Sequence, residues 1–162
     1  MVRCILPEVS RDLVLWEPCN GDGAISSVLK ESGFTVITSD LLVGPEEDRH
    51  DLLTWQPERW DAIITNTPYA NKTAFVKRAL ELQKPWLMLM PLEVLNSHER
   101  HRLFEGEVLQ MWLENEYLRF ESERATHPEG MVVSQTMVWV GQGWPQAKGA
   151  RSEVAFLPLG RE

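Results

Sequence analysis

The chain has 162 residues, 43% of them hydrophobic, with 16 basic against 24 acidic side chains and a net charge of −8. That length supports one domain with a sizeable core. The longest nearly apolar run, Pro85 to Leu92, is too short for a bilayer, which takes about 18 apolar residues, and the acidic balance opposes strong unaided binding to a polyanion.

No signal peptide is expected at the first residues, because acidic Glu8 and Asp12 interrupt before any long apolar core forms. Two cysteines, Cys4 and Cys19, show no metal-type pairing, so a reducing, cytoplasmic setting is expected. The four histidines (His50, His98, His101, His127) make no zinc pattern. Leu13 to Trp16 reads as a strand ending in a Gly-rich turn, and Ala24 to Ser32 as a helix stopped by Gly33. Phe34 to Thr38 is β-branched and ends at Ser39-Asp40. Residues 44–59 are rich in proline and charge, with Asp51-Leu52-Leu53 as a short edge strand, and Trp60 to Thr65 follows as a strand.

Thr73 to Leu82 places Phe75, Val76, Ala79, Leu80 and Leu82 on an amphipathic helix. Trp86 to Met90 is a buried strand, and Ser97 to Phe104 a short helix. Val108 to Phe120 and Met131 to Val140 read as two strands joined by the polar loop Glu121 to Gly130, and the tail from Gly141 reads as a surface wrap. The alternation predicts an α/β fold: a Rossmann-like three-layer sandwich with a mostly parallel seven-stranded sheet and a C-terminal antiparallel β-hairpin. One domain is expected over residues 1–162, with its core at about 12–140 and a tail at 141–162.

In such a sheet, ligands sit beyond the carboxyl ends of the strands. The first strand-turn-helix carries Glu17-Pro18-Cys19-Asn20-Gly21-Asp22-Gly23, whose glycines allow a tight turn and close approach to a ligand. Glu17 and Asp22 would repel a pyrophosphate at the helix start, and the third glycine of a dinucleotide loop is replaced by Ser26. Acidic residues suit a ligand with an amino group and a sulfonium, which favours S-adenosylmethionine over NAD. Asp40, with Leu41 behind it, is placed for ribose hydroxyls; Asp51 and Leu52 are placed for the adenine amine and ring. Alone, the glycines read as a plain strand-helix turn and the aspartates as caps or turns; the ordered set is far more specific. Downstream, Asn66-Thr67-Pro68-Tyr69 follows the apolar run Ala62 to Thr65. An amide, a carbonyl next to proline and an aromatic ring can hold a flat amine by hydrogen bonds and stacking.

These two segments, in this order, resemble class I S-adenosylmethionine-dependent methyltransferases, and in particular the small adenine-N6 DNA methyltransferases of phages and mobile elements. The similarity spans most of residues 12–140. Glu17 to Gly23 resembles the family's cofactor motif, Asn66 to Tyr69 its Asn-Pro-Pro-Tyr motif, and Leu92 to Leu95 with Glu99-Arg100 the segment after its fifth strand. The resemblance implies methyl transfer to the N6 amine of adenine in DNA, with the Asn66 side-chain oxygen and the residue 67 carbonyl accepting from the two N–H groups and Tyr69 stacking on an extruded base. Thr67 departs from the family's proline. The carbonyl survives, but φ at that position is released, while Pro68 still holds Thr67 extended.

The same tetrapeptide serves methylation of RNA guanine amines and of protein glutamine amides, so both stay open as acceptors, as does a cofactor-binding scaffold with impaired catalysis. No target-recognition domain is evident, so recognition would come from loops such as Glu121 to Gly130, from a homodimer or from a partner protein. The basic run His98, Arg100, His101 and Arg102 reads as a solvated helix face, with contact to backbone phosphates as the sharper reading. Of the seven tryptophans, Trp55 and Trp144 are those left free to face a ligand.

Overall fold

A computed structural model of the chain describes residues 2–6, 9–105, 107–113, 137–144 and 152–155. The apolar runs become the parallel strands: β1 (Val14–Glu17), β3 (Ala62–Asn66) and β4 (Trp86–Pro91) inside the sheet, with β2 (Thr35–Thr38) at its edge. Their side chains alternate between two cores. Leu15, Ala62, Ile64, Leu87 and Leu89 pack on one face; Trp16, Ile63, Trp86, Met88 and Met90 pack on the other. A strand buried on both faces reads as continuous hydrophobicity rather than alternation, which is why these runs stand out in the sequence.

Helix α1 (Ala24–Glu31) covers the first face through Leu29, beside Val2, Ile5 and Val9 of the N-terminal segment. Helices α2 (Lys72–Leu82) and α3 (His98–Phe104) cover the second face through Phe75, Val76, Ala79 and Phe104. The result is a Rossmann-like α/β arrangement of three layers. Remaining strands are β5 (Val108–Leu113), β6 (Met137–Gln142) and β7 (Ser152–Ala155). Among the described residues they form one mixed sheet in the order β2-β1-β3-β4-β6-β5-β7. Strand order reverses between β1 and β3, so their carboxyl ends flank the crevice where such sheets take ligands.

Three expectations are corrected. The sheet is not mostly parallel: β2-β1, β1-β3 and β3-β4 pair parallel, while β4-β6, β6-β5 and β5-β7 pair antiparallel. The supposed edge strand at Asp51-Leu52-Leu53 is a turn, because Asp51 accepts from Leu53 N through Oδ1 (2.9 Å) and from Trp55 N through its carbonyl (2.9 Å). An aspartate that bonds the backbone two residues on closes the chain on itself and leaves no groups for a ladder. The segment after Gly141 is not merely a wrap. Gly141 and Gln142 belong to β6, and β7 pairs with β5.

Trp144 is also not free. It is buried, donates from Nε1 to the Trp86 carbonyl (2.8 Å), and exchanges two bonds with the Gln110 amide (3.0 and 2.9 Å). Trp55 stacks on His50, with centroids 3.8 Å apart. β5 and β6 are antiparallel neighbours; the loop Glu121 to Gly130 expected to join them lies outside the described residues. No helix among the described residues is long and apolar enough to cross a membrane.

Candidate active site

A cavity of about 360 Å³ opens at the carboxyl ends of β1 and β3. Glu17 is the last residue of β1 and only 1% exposed. Thr65 donates its hydroxyl to Glu17 Oε1, and Cys19 N donates to the same oxygen at 3.4 Å. Glu17 Oε2 is buried with no partner. Burial therefore pushes this carboxyl well above the usual carboxylate range; the bonds from Thr65 and Cys19 oppose the shift and the charge of Asp40 adds to it. Burial also pushes the Cys19 thiol up to about 12, with the neighbouring Glu17 carboxylate adding to it, so Cys19 is an inert wall and not a nucleophile.

The loop after β1 is tied down at three points. Gly21 (φ 52°) and Gly23 (φ 82°) take the left-handed conformations that the turn requires. Gly21 N donates to Asp40 Oδ2 (2.9 Å), and Asn20 N donates to the Ser39 carbonyl (3.1 Å). Ser26, standing where a dinucleotide loop would place glycine, donates to Asn20 Oδ1 (2.6 Å). That substitution converts a packing position into a side-chain brace. Asp40 is the hub: its Oδ1 also accepts from Leu42 N (2.8 Å) and Val43 N (3.1 Å).

From the other side, Asn66, Thr67 and Pro68 line the cavity. Asn66 Oδ1 is buried without a partner, and so is the hydroxyl of Thr67, which is 2% exposed. Pro68 is extended (φ −57°, ψ 129°) and leads into a 3-10 turn, Tyr69–Asn71. The stacking expected of Tyr69 concerns a side chain outside the described residues.

The structure thus brings Glu17, Cys19, Asn20, Gly21 and Asp40 to one cavity with Asn66, Thr67 and Pro68. Pro18, Gly23 and Leu41 do not line it; Leu41 is exposed beside it. Asp51 and Leu52 are not at the wall either. Leu52 is 2% exposed and packs in the core with Trp16 and Trp60. Asp22, read in the sequence as an acidic member of this loop, lines the cavity, and Ala24 and Ile25 do so unanticipated. Thr65 and Ser26 were also missed; the hydroxyl immediately before Asn66 had no visible partner in the sequence, since Glu17 lies 48 residues away.

The lining holds three carboxyl groups (Glu17, Asp22, Asp40) and no basic side chain. Such a wall repels a pyrophosphate and receives a cation. The volume is within the range of small-molecule sites, roughly 300–1,000 Å³. Among the described residues, no cluster of His, Cys, Asp and Glu is arranged to hold a metal ion.

No family model and no curated protein matches the chain. Among solved structures it is similar to a TehB-like S-adenosylmethionine-dependent methyltransferase from Corynebacterium glutamicum, at 17% identity and a TM-score of 0.47, covering 86% of this chain and 85% of that one. It is also similar to a candidate methyltransferase from Thermoplasma acidophilum, at 10% identity and a TM-score of 0.44, covering 80% of this chain and 66% of that one.

Proposed function

We propose that the chain is an S-adenosylmethionine-dependent methyltransferase whose acceptor is a planar amine, with the N6 amine of adenine in DNA as the leading candidate. The observation that carries this reading is a pair of buried, unpartnered oxygens, Glu17 Oε2 and Asn66 Oδ1, on two residues that line one acidic cavity at the ends of the neighbouring strands β1 and β3. Leaving a buried acceptor unpaired costs about 1–3 kcal/mol, so both oxygens are fitted to donors that a ligand brings.

The two residues fit two different donors. Glu17, with Asp40 behind the Gly21 turn, suits the ammonium and hydroxyl groups of the cofactor, and an ammonium beside Glu17 would restore its ionised form. Bound there, S-adenosylmethionine supplies a methyl group on a sulfonium. Asn66 Oδ1 would accept one N–H of the acceptor amine and the Thr67 carbonyl the other. Two acceptors on one amine favour a pyramidal, more nucleophilic nitrogen and stabilise the positive charge it gains. In-line placement supplies much of the remaining rate.

Calorimetry with S-adenosylmethionine, followed by transfer of a labelled methyl to DNA, RNA and a protein lysate, tests the reading. Heat of binding and label in N6-methyladenine are expected. Absence of binding at millimolar cofactor would sink the cofactor assignment, and label in guanine or glutamine would move the acceptor. A scaffold with impaired catalysis is the second reading. It is favoured by Thr67, whose buried hydroxyl has no partner at the position where the family it resembles has proline. Cofactor binding with no labelled acceptor is its signature.

A further inference from the structure

Immediately after the Asn66 to Tyr69 loop in the chain, a second cavity of about 510 Å³ lies between the first turns of α2 and helix α3. Pro68 lines the first cavity and Ala70 the second, so only Tyr69 separates them along the chain. Their charges are opposite. The second cavity is lined by Lys72, Lys77 and Arg100, with Glu99 as its one carboxylate.

Arg100 was expected on a solvated face, yet it is 9% exposed. Its Nε donates to the Val94 carbonyl, its Nη2 to the Glu93 carbonyl (3.1 Å) and its Nη1 to the Thr73 hydroxyl (3.1 Å). All three acceptors are neutral, and among the described residues no carboxylate pairs with this guanidinium. A guanidinium carries five N–H donors, so two have no acceptor among the described residues. A buried charge without a counter-charge is strongly unfavourable, and here Lys72 and Lys77 add to the positive field against the single carboxylate of Glu99. Lys72 and Lys77 have no ion-pair partner among the described residues, and α2, eleven residues long, starts without a side-chain cap, which leaves the positive end of its dipole facing the same space.

We propose that this second cavity binds a phosphate of the acceptor, and therefore that the acceptor is a nucleic-acid strand and not a protein. The inference rests on the methyl-transfer reading for its place beside the target amine. An acidic pocket for a cationic cofactor and a basic pocket for an anionic backbone adjoin, along the chain, the loop that would hold the base. Phosphate contacts of this kind fix position without reading sequence, and a local cluster supplies them on a chain whose net charge is −8.

The test uses the full chain and a short fluorescein-labelled single-stranded oligonucleotide, followed by anisotropy across a range of salt without cofactor. The parent is expected to bind, with inorganic phosphate and adenosine monophosphate as weak competitors. A Lys72→Gln/Lys77→Gln variant should bind about tenfold more weakly at low salt, and its salt slope should shrink by up to about 1.4, since each phosphate contact on a single strand contributes about 0.7. Both changed residues are at least partly exposed, so thermal unfolding of the variant should match the parent. A variant that folds normally and binds with unchanged affinity and slope overturns the proposal, as does a parent that does not bind at low salt. The methyl-transfer reading fails separately: lysine-dependent binding with no cofactor heat leaves the phosphate site standing alone. Transfer to a glutamine peptide with lysine-independent oligonucleotide binding removes the site and keeps the enzyme.

Discussion

The Thr65 hydroxyl, arriving on β3, donates to Glu17 Oε1 at the end of β1, and the other oxygen of that carboxylate stays buried without a partner. One hydrogen bond thus fixes the orientation of a carboxyl group whose second oxygen faces the task of receiving something else.

Glu17 ties stability and binding to pH. Its folded-state pKa lies above the unfolded value, so the folded chain holds the extra proton between the two. The stability this contributes is fully present below the ordinary carboxylate pKa and is lost as pH rises through the raised one. Glu17→Gln should flatten that decline in thermal unfolding across pH while weakening cofactor binding. At a pH below that raised pKa, binding of a cationic ligand should release a proton, seen as a buffer-dependent heat in calorimetry. A parent whose binding heat is independent of buffer contradicts the assignment.

Asn66 separates binding from chemistry. Asn66→Ala should leave S-adenosylmethionine affinity near that of the parent and lower kcat by about 10²–10³, the usual loss when one pre-organised hydrogen-bond partner of the transition state is removed. Equal turnover in parent and variant would refute its role.

The Thr67 hydroxyl offers a stability test that is independent of activity. It is buried without a partner, so Thr67→Val removes an unsatisfied polar atom at nearly constant shape. The substitution should stabilise the unliganded chain by about 1 kcal/mol, read from denaturant unfolding. Clear destabilisation would mean that the hydroxyl is already paired in solution.

Gly141 sits opposite Leu87 in the β4-β6 ladder, and a Cβ added there would lie 2.2 Å from the Trp86 carbonyl oxygen. That oxygen already accepts the Trp144 indole N–H. Gly141→Ala should cost about 3 kcal/mol, at the upper end of overpacking penalties, measured by thermal unfolding. A variant as stable as the parent would show that β6 can shift away from β4.

What was legible in the sequence is what local chemistry dictates. Doubly buried strands announce themselves as apolar runs, and the turn after β1 is marked by glycines that take positive φ. Glu17, Asp40 and Asn66 were found because a polar residue ending an apolar run is conspicuous. Pairings across the chain were not legible. Nothing near Thr65 identifies Glu17 as its partner, and nothing near Arg100 shows that residues 93, 94 and 73 enclose it. The misread strand at residues 51–53 has the same origin: two leucines look extended until Asp51 is seen closing its own turn. The antiparallel half was misjudged because the place of β6 between β4 and β5 is a long-range property.

That placement has a consequence for synthesis. The parallel half, with both walls of the acidic cavity, is complete once residue 91 has been made, but β4 then ends in a row of unpaired backbone groups. β5 emerges next and has no partner among the earlier strands; it must wait for β6 to insert between them. During that interval an apolar strand edge is exposed to any extended chain nearby. Chain release and folding are thereby coupled: a nascent chain stalled before residue 137 would carry a nearly finished cavity wall beside an open, aggregation-prone edge.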